Sequence, residues 1–290
     1  MFIKSRLGSF LLSKPVQRSF LGHLTRGFVS RTDGLYDYSP NFLTDLQATS
    51  RPHYAYCLMR AAELARRLEI NRISAIEFGV AGGNGLAFMS DFAKRIERRT
   101  GITIECYGFD TGEGMPEPEN VRDLPYWFQR AQYVMDEQRL RKRLPETKIV
   151  IGNAKETVAA FIDTYKPAPI AAIFHDMDYW SSTRDALKLL KYAEQSSEYF
   201  MPRIFNYFDD IIGTEWEMYG HLNGQLLAID EFNDGDANCQ IHLNQNLLPN
   251  ESIPWRHQIY YAHLFHHPRY SDYIGGSQQV ALQSALVLKQ

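Results

Sequence analysis

Acidic side chains collect where apolar runs of this chain stop. Ile76-Glu77, Phe109-Asp110, Phe174-His175-Asp176-Met177-Asp178 and Phe208-Asp209-Asp210 share that pattern, and Gly152-Asn153 closes a further run with a polar amide. Asp176 and Asp178 are two residues apart, so on extended chain both project to the same side. Asp209 and Asp210 end the next apolar run. Carboxylates brought together repel one another unless protons or a cation neutralise them. An all-oxygen set suits Mg²⁺ or another hard divalent ion, which keeps waters that substrate oxygens can replace. The plainer alternative is that two of these acids cap helices and the others face water. His175 stands beside the set as a candidate general base, as do the acids that hold no metal; a lone histidine at a strand end is also commonly a packed one.

A second stretch supplies a ligand cradle. Ser74 to Gly85 reads as a strand, a tight turn and a helix start, with Gly79, Gly82, Gly83 and Gly85 falling within seven residues. Glycine accepts positive φ and has no side chain to hold a ligand off the backbone, so a small polar molecule can lie against these amides. Asp110 lies 25 residues past Gly85 and suits the carboxylate that grips a ribose diol. Glu77, immediately before the turn, would repel a pyrophosphate but would hold an ammonium, which favours S-adenosylmethionine over a dinucleotide. Asn153, at the end of the third run, joins Glu77, Gly79, Gly82, Gly83 and Asp110 as a cofactor-side residue. A nicotinamide oxidoreductase would use the same turn but leaves the acids unexplained, and a non-catalytic binding module on the same fold stays open.

Composition bounds the classes. The chain has 290 residues, 44% of them hydrophobic, enough for one large α/β domain. A formal net charge of −3 gives no basic field for nucleic acid. Cys57, Cys106 and Cys239 are too few and too scattered for a disulfide framework or a zinc cluster and suit a cytosol-like compartment. No apolar run approaches the roughly 20 residues of a membrane helix. His257, His263, His266 and His267 lack the spacing zinc prefers. Lys4, Arg6, Lys14, Arg18, Arg26 and Arg31 all precede the first acid, Asp33, and without them 25 bases face 34 acids. Residues 1–32 therefore read as a basic extension, of transit-peptide or surface-adhering type, ahead of one domain over 33–290. The cytoplasm is the default compartment, with organelle import the alternative. A small-molecule acceptor is the expected partner, and a homo-oligomer is left open.

Periodicity gives the elements that must carry these groups. A turn-rich aromatic segment over 33–50 leads into a helix over Arg51–Leu68, and strands follow at Ser74–Glu77, Ile102–Phe109, Lys148–Ile151, Pro169–Phe174 and Arg203–Phe208. Helices are expected from Leu86 to a stop at Gly101, over Leu124–Leu144, through Ala160 and Phe161, after a cap at Ser181 or Ser182, and over Trp216–Phe232. Two β-like runs, Trp255–Phe265 and Val280–Leu288, close the chain without a long helix between them. The pattern predicts a Rossmann-like α/β sheet, mostly parallel with an antiparallel last strand and helices on both faces. In such a sheet, ligands bind beyond the carboxyl ends of the strands where strand order reverses, which is where the polar residues above collect.

Four segments together resemble the macrocin O-methyltransferase family, class I S-adenosylmethionine enzymes that methylate sugar hydroxyls on natural products. They are Glu77-Phe-Gly-Val-Ala-Gly-Gly83, Gly108-Phe-Asp-Thr-Gly-Glu-Gly-Met-Pro116, Asp176-Met-Asp-Tyr-Trp-Ser-Ser-Thr183 and Phe208-Asp-Asp210, in family order. The resemblance implies a seven-stranded class I methyltransferase fold and a Mg²⁺ held by Asp176, Asp209 and Asp210, with Asp178 close by as ligand or base.

Overall fold

The computed structural model describes residues 20–286, so the start of the basic extension expected over 1–32 lies outside the described residues, as do 287–290. Seven strands form one sheet: β1 (Arg72–Phe78), β2 (Thr103–Asp110), β3 (Lys148–Ile151), β4 (Ile170–His175), β5 (Phe200–Phe208), β6 (Cys239–Leu243) and β7 (Ile259–Leu264). Their order is β3-β2-β1-β4-β5-β7-β6. Pairing is parallel from β3 to β5, and β7 runs antiparallel to both β5 and β6. The mostly parallel α/β sheet expected from the sequence is therefore present. β1 and β4 lie at its centre and are buried along almost their whole length, which is why Ile170–Phe174 reads as an apolar run and β1 is apolar apart from Arg72, Ser74 and Glu77.

Nine helices surround the sheet among the described residues: α1 (Phe20–Tyr36), α2 (Pro40–Leu46), α3 (Pro52–Arg67), α4 (Asn84–Thr100), α5 (Glu137–Arg143), α6 (Ala154–Tyr165), α7 (Trp180–Leu187), α8 (Gly224–Asp234) and α9 (Gly276–Ala285). α2, α3 and α4 pack with one another, and α7 packs against both α6 and α8. Right-handed crossovers require this grouping, because the chain moves one way across the sheet from β1 to β3 and the other way from β3 to β5. α4 shows the local logic. Leu86, Met89, Phe92, Ala93 and Ile96 are buried on one side, Asp91, Lys94, Glu97 and Arg98 stay exposed, and Gly101 ends the helix at φ 75°. Arg95, half-buried, holds Asp33 at the end of α1 through two 2.6 Å hydrogen bonds.

Several expected elements differ. The partner of β7 is Cys239–Leu243, whereas Val280–Ala285 is helical in α9. The segment 33–50 holds the end of α1 and all of α2. Only Glu137–Arg143 of the helix expected over 124–144 forms; Leu124, Ala131 and Tyr133 have φ of 54°, 63° and 61°, which no α-helix accommodates. Trp180 already lies in α7, and Ser181 does not cap it: its amide and hydroxyl both bond to the buried Asp123 carboxylate, at 2.8 and 2.9 Å. The helix expected from Trp216 begins at Gly224. β5 starts at Phe200 and carries Pro202 where its register with β4 is irregular, a place where a missing N–H costs no ladder bond.

The turn after β1 is fixed by close approach to β4. Gly79 (φ 83°) passes so near that a Cβ there would meet the Asp176 carbonyl oxygen at 1.8 Å, whereas one at Gly82 would point into open space. Gly79→Ala is expected to cost roughly 2–4 kcal/mol of stability in denaturant titration, with Gly82→Ala within about 0.5 kcal/mol of the parent. Equal costs for the two would contradict this placement.

Candidate active site

Beyond the carboxyl ends of β1, β2, β4 and β5 lies a crevice of about 410 Å³, within the roughly 300–1,000 Å³ of small-molecule sites. It opens between β1 and β4, where strand order reverses. Gly79, Gly82, Gly83, Asp110 and Asn153 line one part, and Asp176, Asp178, Asp209 and Asp210 another. The spatial convergence expected of these nine residues is present.

Asp110 holds the glycine turn in shape. Its Oδ2 accepts the amides of Val80 and Ala81, both at 2.9 Å, and its Oδ1 accepts that of Gly112 at 2.7 Å. A carboxylate has about four acceptor sites, so Asp110 keeps capacity for a single further hydroxyl rather than both of a diol. Asn153 caps α6 through its Oδ1, which accepts the Lys155 amide at 2.9 Å, leaving its NH₂ for the crevice.

The backbone sets the acids. Asp176 N donates to Phe78 O and Asp209 N to His175 O, each at 2.9 Å, extending the β1–β4 and β4–β5 ladders by one residue. Gln225, fully buried at the start of α8, then ties the two strand ends together. Its Oε1 accepts the Asp210 amide at 3.0 Å, and its NH₂ donates to the carbonyls of His175 (3.2 Å) and Met177 (3.0 Å). Asp176, Asp209 and Asp210 each offer a ligand atom, and these atoms lie within 4.8 Å of one another. Tyr207 donates its hydroxyl to Asp209 and Tyr219 to Asp178 at 2.9 Å. Asp210 Oδ2 is buried without a hydrogen-bond partner. Burial raises the pKa of Asp176 to about 7, helped by Asp209, and that of Asp178 to about 6; burial and then Asp178 push Asp210 well above its ordinary value. An all-carboxylate set with an orphaned buried oxygen fits a hard divalent cation.

Two expected site residues sit outside the crevice. Glu77 is 1% exposed beneath the turn, its Oε1 accepting the Tyr54 hydroxyl at 2.6 Å, and burial raises its pKa to about 8. Its carboxyl lies against Gly85, where a Cβ would come within 1.9 Å of Oε1. Glu77 therefore supports the turn and is not an open carboxylate for an ammonium. His175 is fully buried between Phe78 and Phe208, with ring centroids at 5.8 and 4.3 Å; its Nε2 meets Asn206 Oδ1 at 3.1 Å, and burial lowers its pKa to about 4. A neutral imidazole under the floor has no route to a substrate proton. Arg51, Gln225, Tyr207 and Tyr219 are additions that sequence reasoning missed. Arg51 before a helix-starting proline offered a faint signal; Gln225 offered none.

Two segments, 115–133 and 214–219, roof the crevice, placing Met115, Phe128, Tyr133 and Glu217 in its lining. A small apolar cluster of Leu124, Phe128 and Tyr179, with Met115 and Tyr219 against it, stands apart from the main core. Tyr126 Oη donates to Glu217 O at 2.8 Å, joining the segments, on which Trp127, Trp216 and Met218 remain exposed.

No protein-family model matches the chain, and no curated protein matches it significantly. Among solved structures it is similar to the calicheamicin methyltransferase CalS11, at 18% identity and TM-score 0.51, over 89% of this chain and 93% of that one. The fold is that of a class I methyltransferase. The O-methyltransferase NovP is also similar, at 15% identity and TM-score 0.46, over 70% and 77% of the two chains. In this methyltransferase fold, the glycine turn and the acids occupy one crevice at the strand-order switch.

The raised acids give a pH signature. The folded state keeps protons on Asp176, Asp178 and Asp210 that the unfolded chain releases near pH 4, so their contribution to stability falls as pH rises from about 4 to about 7. His53 and His175, with pKa lowered to about 3 and about 4, act oppositely below about pH 6.5. Thermal melts in chelator are therefore expected to show a steeper loss of Tm between about pH 4 and 7, the window of these shifts, for the parent than for the Asp176→Asn, Asp210→Asn double variant. Parallel curves would contradict the assignment.

Proposed function

We propose that this chain is an S-adenosylmethionine-dependent O-methyltransferase acting on a hydroxyl of a small molecule of sugar or natural-product type, with Mg²⁺ as its divalent ion. The observation that carries the reading is the presence of three carboxylates, with ligand atoms within 4.8 Å of one another, in the same crevice as a glycine turn whose Gly82 faces open space. Asp176, Asp209 and Asp210 would hold the ion. The turn amides, Asp110 and Asn153 would hold the adenosyl part, Asp110 through the single acceptor site it retains. When bound, the cofactor supplies a methyl on a sulfonium, and the ion supplies a positive charge that acidifies a hydroxyl beside it.

The chain's own residues do the rest. Transfer of that methyl would be an in-line displacement, so holding the acceptor oxygen in line would be the main task of the residues around it. The roof segments exclude water and present apolar surface to the acceptor. Asp178 takes the hydroxyl proton: it faces the crevice and lies outside the set proposed to hold the ion, and the Tyr219 hydroxyl, which donates to it, fixes its orientation. His175, buried and neutral, does not share that task.

Asp176→Ala and Asp209→Ala are expected to lower methyl transfer on the order of a thousandfold, with calorimetric affinity for S-adenosylhomocysteine largely kept. Full turnover of the parent enzyme in chelator would refute the metal role, and failure to bind S-adenosylhomocysteine would refute the cofactor.

A further inference from the structure

The amino-acid end of the proposed cofactor brings a carboxylate into a crevice already rich in carboxylates, and a carboxylate placed among like charges needs a cation. Arg51 is the one basic side chain among the residues that line the crevice. It stands immediately before α3, where Pro52 opens the helix, and it provides no side-chain cap. Its guanidinium lies 5.1 Å over the ring of Tyr54, whose hydroxyl bonds to Glu77 at the end of β1. The arginine is thus anchored beside the glycine turn, at the opening between β1 and β4.

The guanidinium is close enough to lower the pKa of both Asp176 and Glu77. Among the described residues it nevertheless makes no ion pair and no hydrogen bond. Three other part-buried arginines are committed, Arg95 to Asp33, Arg67 to Glu63, and Arg184 to Asp185 and Glu119, whereas Arg203, which does not line this crevice, lies over the Tyr270 ring with two guanidinium nitrogens unpartnered. An arginine serving as counter-ion to the acid cluster would bond to one of its members. Arg51 instead keeps its planar fork of donors free, and that fork matches a carboxylate in two-point geometry.

We infer that Arg51 binds the carboxylate at the amino-acid end of the cofactor and sets the crevice's preference for adenosyl compounds that carry that end. This rests on the methyltransferase reading above. It divides the crevice into an adenosyl part at the turn, Asp110 and Asn153, an anion-binding corner at Arg51, and the cation-binding acids beyond.

Titration calorimetry with two probes tests it. S-adenosylhomocysteine carries the amino-acid end, and 5′-methylthioadenosine has the same purine, ribose and thioether without it. The parent protein is expected to favour S-adenosylhomocysteine. Arg51→Met is expected to lose about 10- to 100-fold in affinity for S-adenosylhomocysteine with little change for 5′-methylthioadenosine, and Arg51→Lys to recover part of the loss. Unchanged affinity of Arg51→Met for S-adenosylhomocysteine, or equal weakening for both probes at an unchanged Tm, would overturn the assignment. A parent protein that binds neither probe would instead overturn the methyltransferase reading itself.

Discussion

Like charges held together are what the rest of this crevice is built around. Asp176, Asp178, Asp209 and Asp210 repel one another, and nothing in their side-chain chemistry would keep them close. The backbone does so. Parallel pairing of β4 with β1 and β5 ends in the Asp176 and Asp209 amide bonds, and the Gln225 amide locks the segments that follow. Burial first, and the neighbouring carboxylates after it, raise the pKa values of Asp176, Asp178 and Asp210. A bound divalent cation would offset both costs, and under the proposed function that is how the fold would convert a destabilising cluster into affinity for an ion.

The same crevice uses its other acids differently. Asp110 is satisfied by three amides and shapes the turn, whereas Glu77 is buried beneath it with one oxygen lacking a partner. Position relative to the sheet surface separates these roles: a carboxylate that reaches loop amides stays in the crevice, and one pointing under α4 becomes a structural acid with a raised pKa.

Much of this was legible in the sequence, for a physical reason. Central parallel strands are buried on both faces along most of their length, so the runs Tyr107–Phe109 and Ile170–Phe174 are apolar or small, and an acid marks the exit soon after, as at Asp110 and Asp176. Lys148–Ile151 and the stop at Gly101 follow from the same local rules. What failed depended on distant partners. Cys239–Leu243 is too short to announce itself and is a strand only because β7 pairs with it, and Val280–Ala285 has strand-like composition but no strand to pair with. Trp127, Ala131 and Val134 recur at helical spacing, yet their segment belongs to a roof that bends through positive φ at Leu124, Ala131 and Tyr133. His175 and Glu77 looked reactive by type and place, and only burial assigns them to the scaffold.

Manganese anomalous scattering from crystals of the full chain grown with Mn²⁺ and S-adenosylhomocysteine tests the central claim most directly. The account predicts a peak at roughly 2.0–2.4 Å from carboxylate oxygens of Asp176, Asp209 and Asp210, beside the thioether sulfur. No peak at that position with the site otherwise ordered, or carboxylates turned away from the crevice, would contradict it.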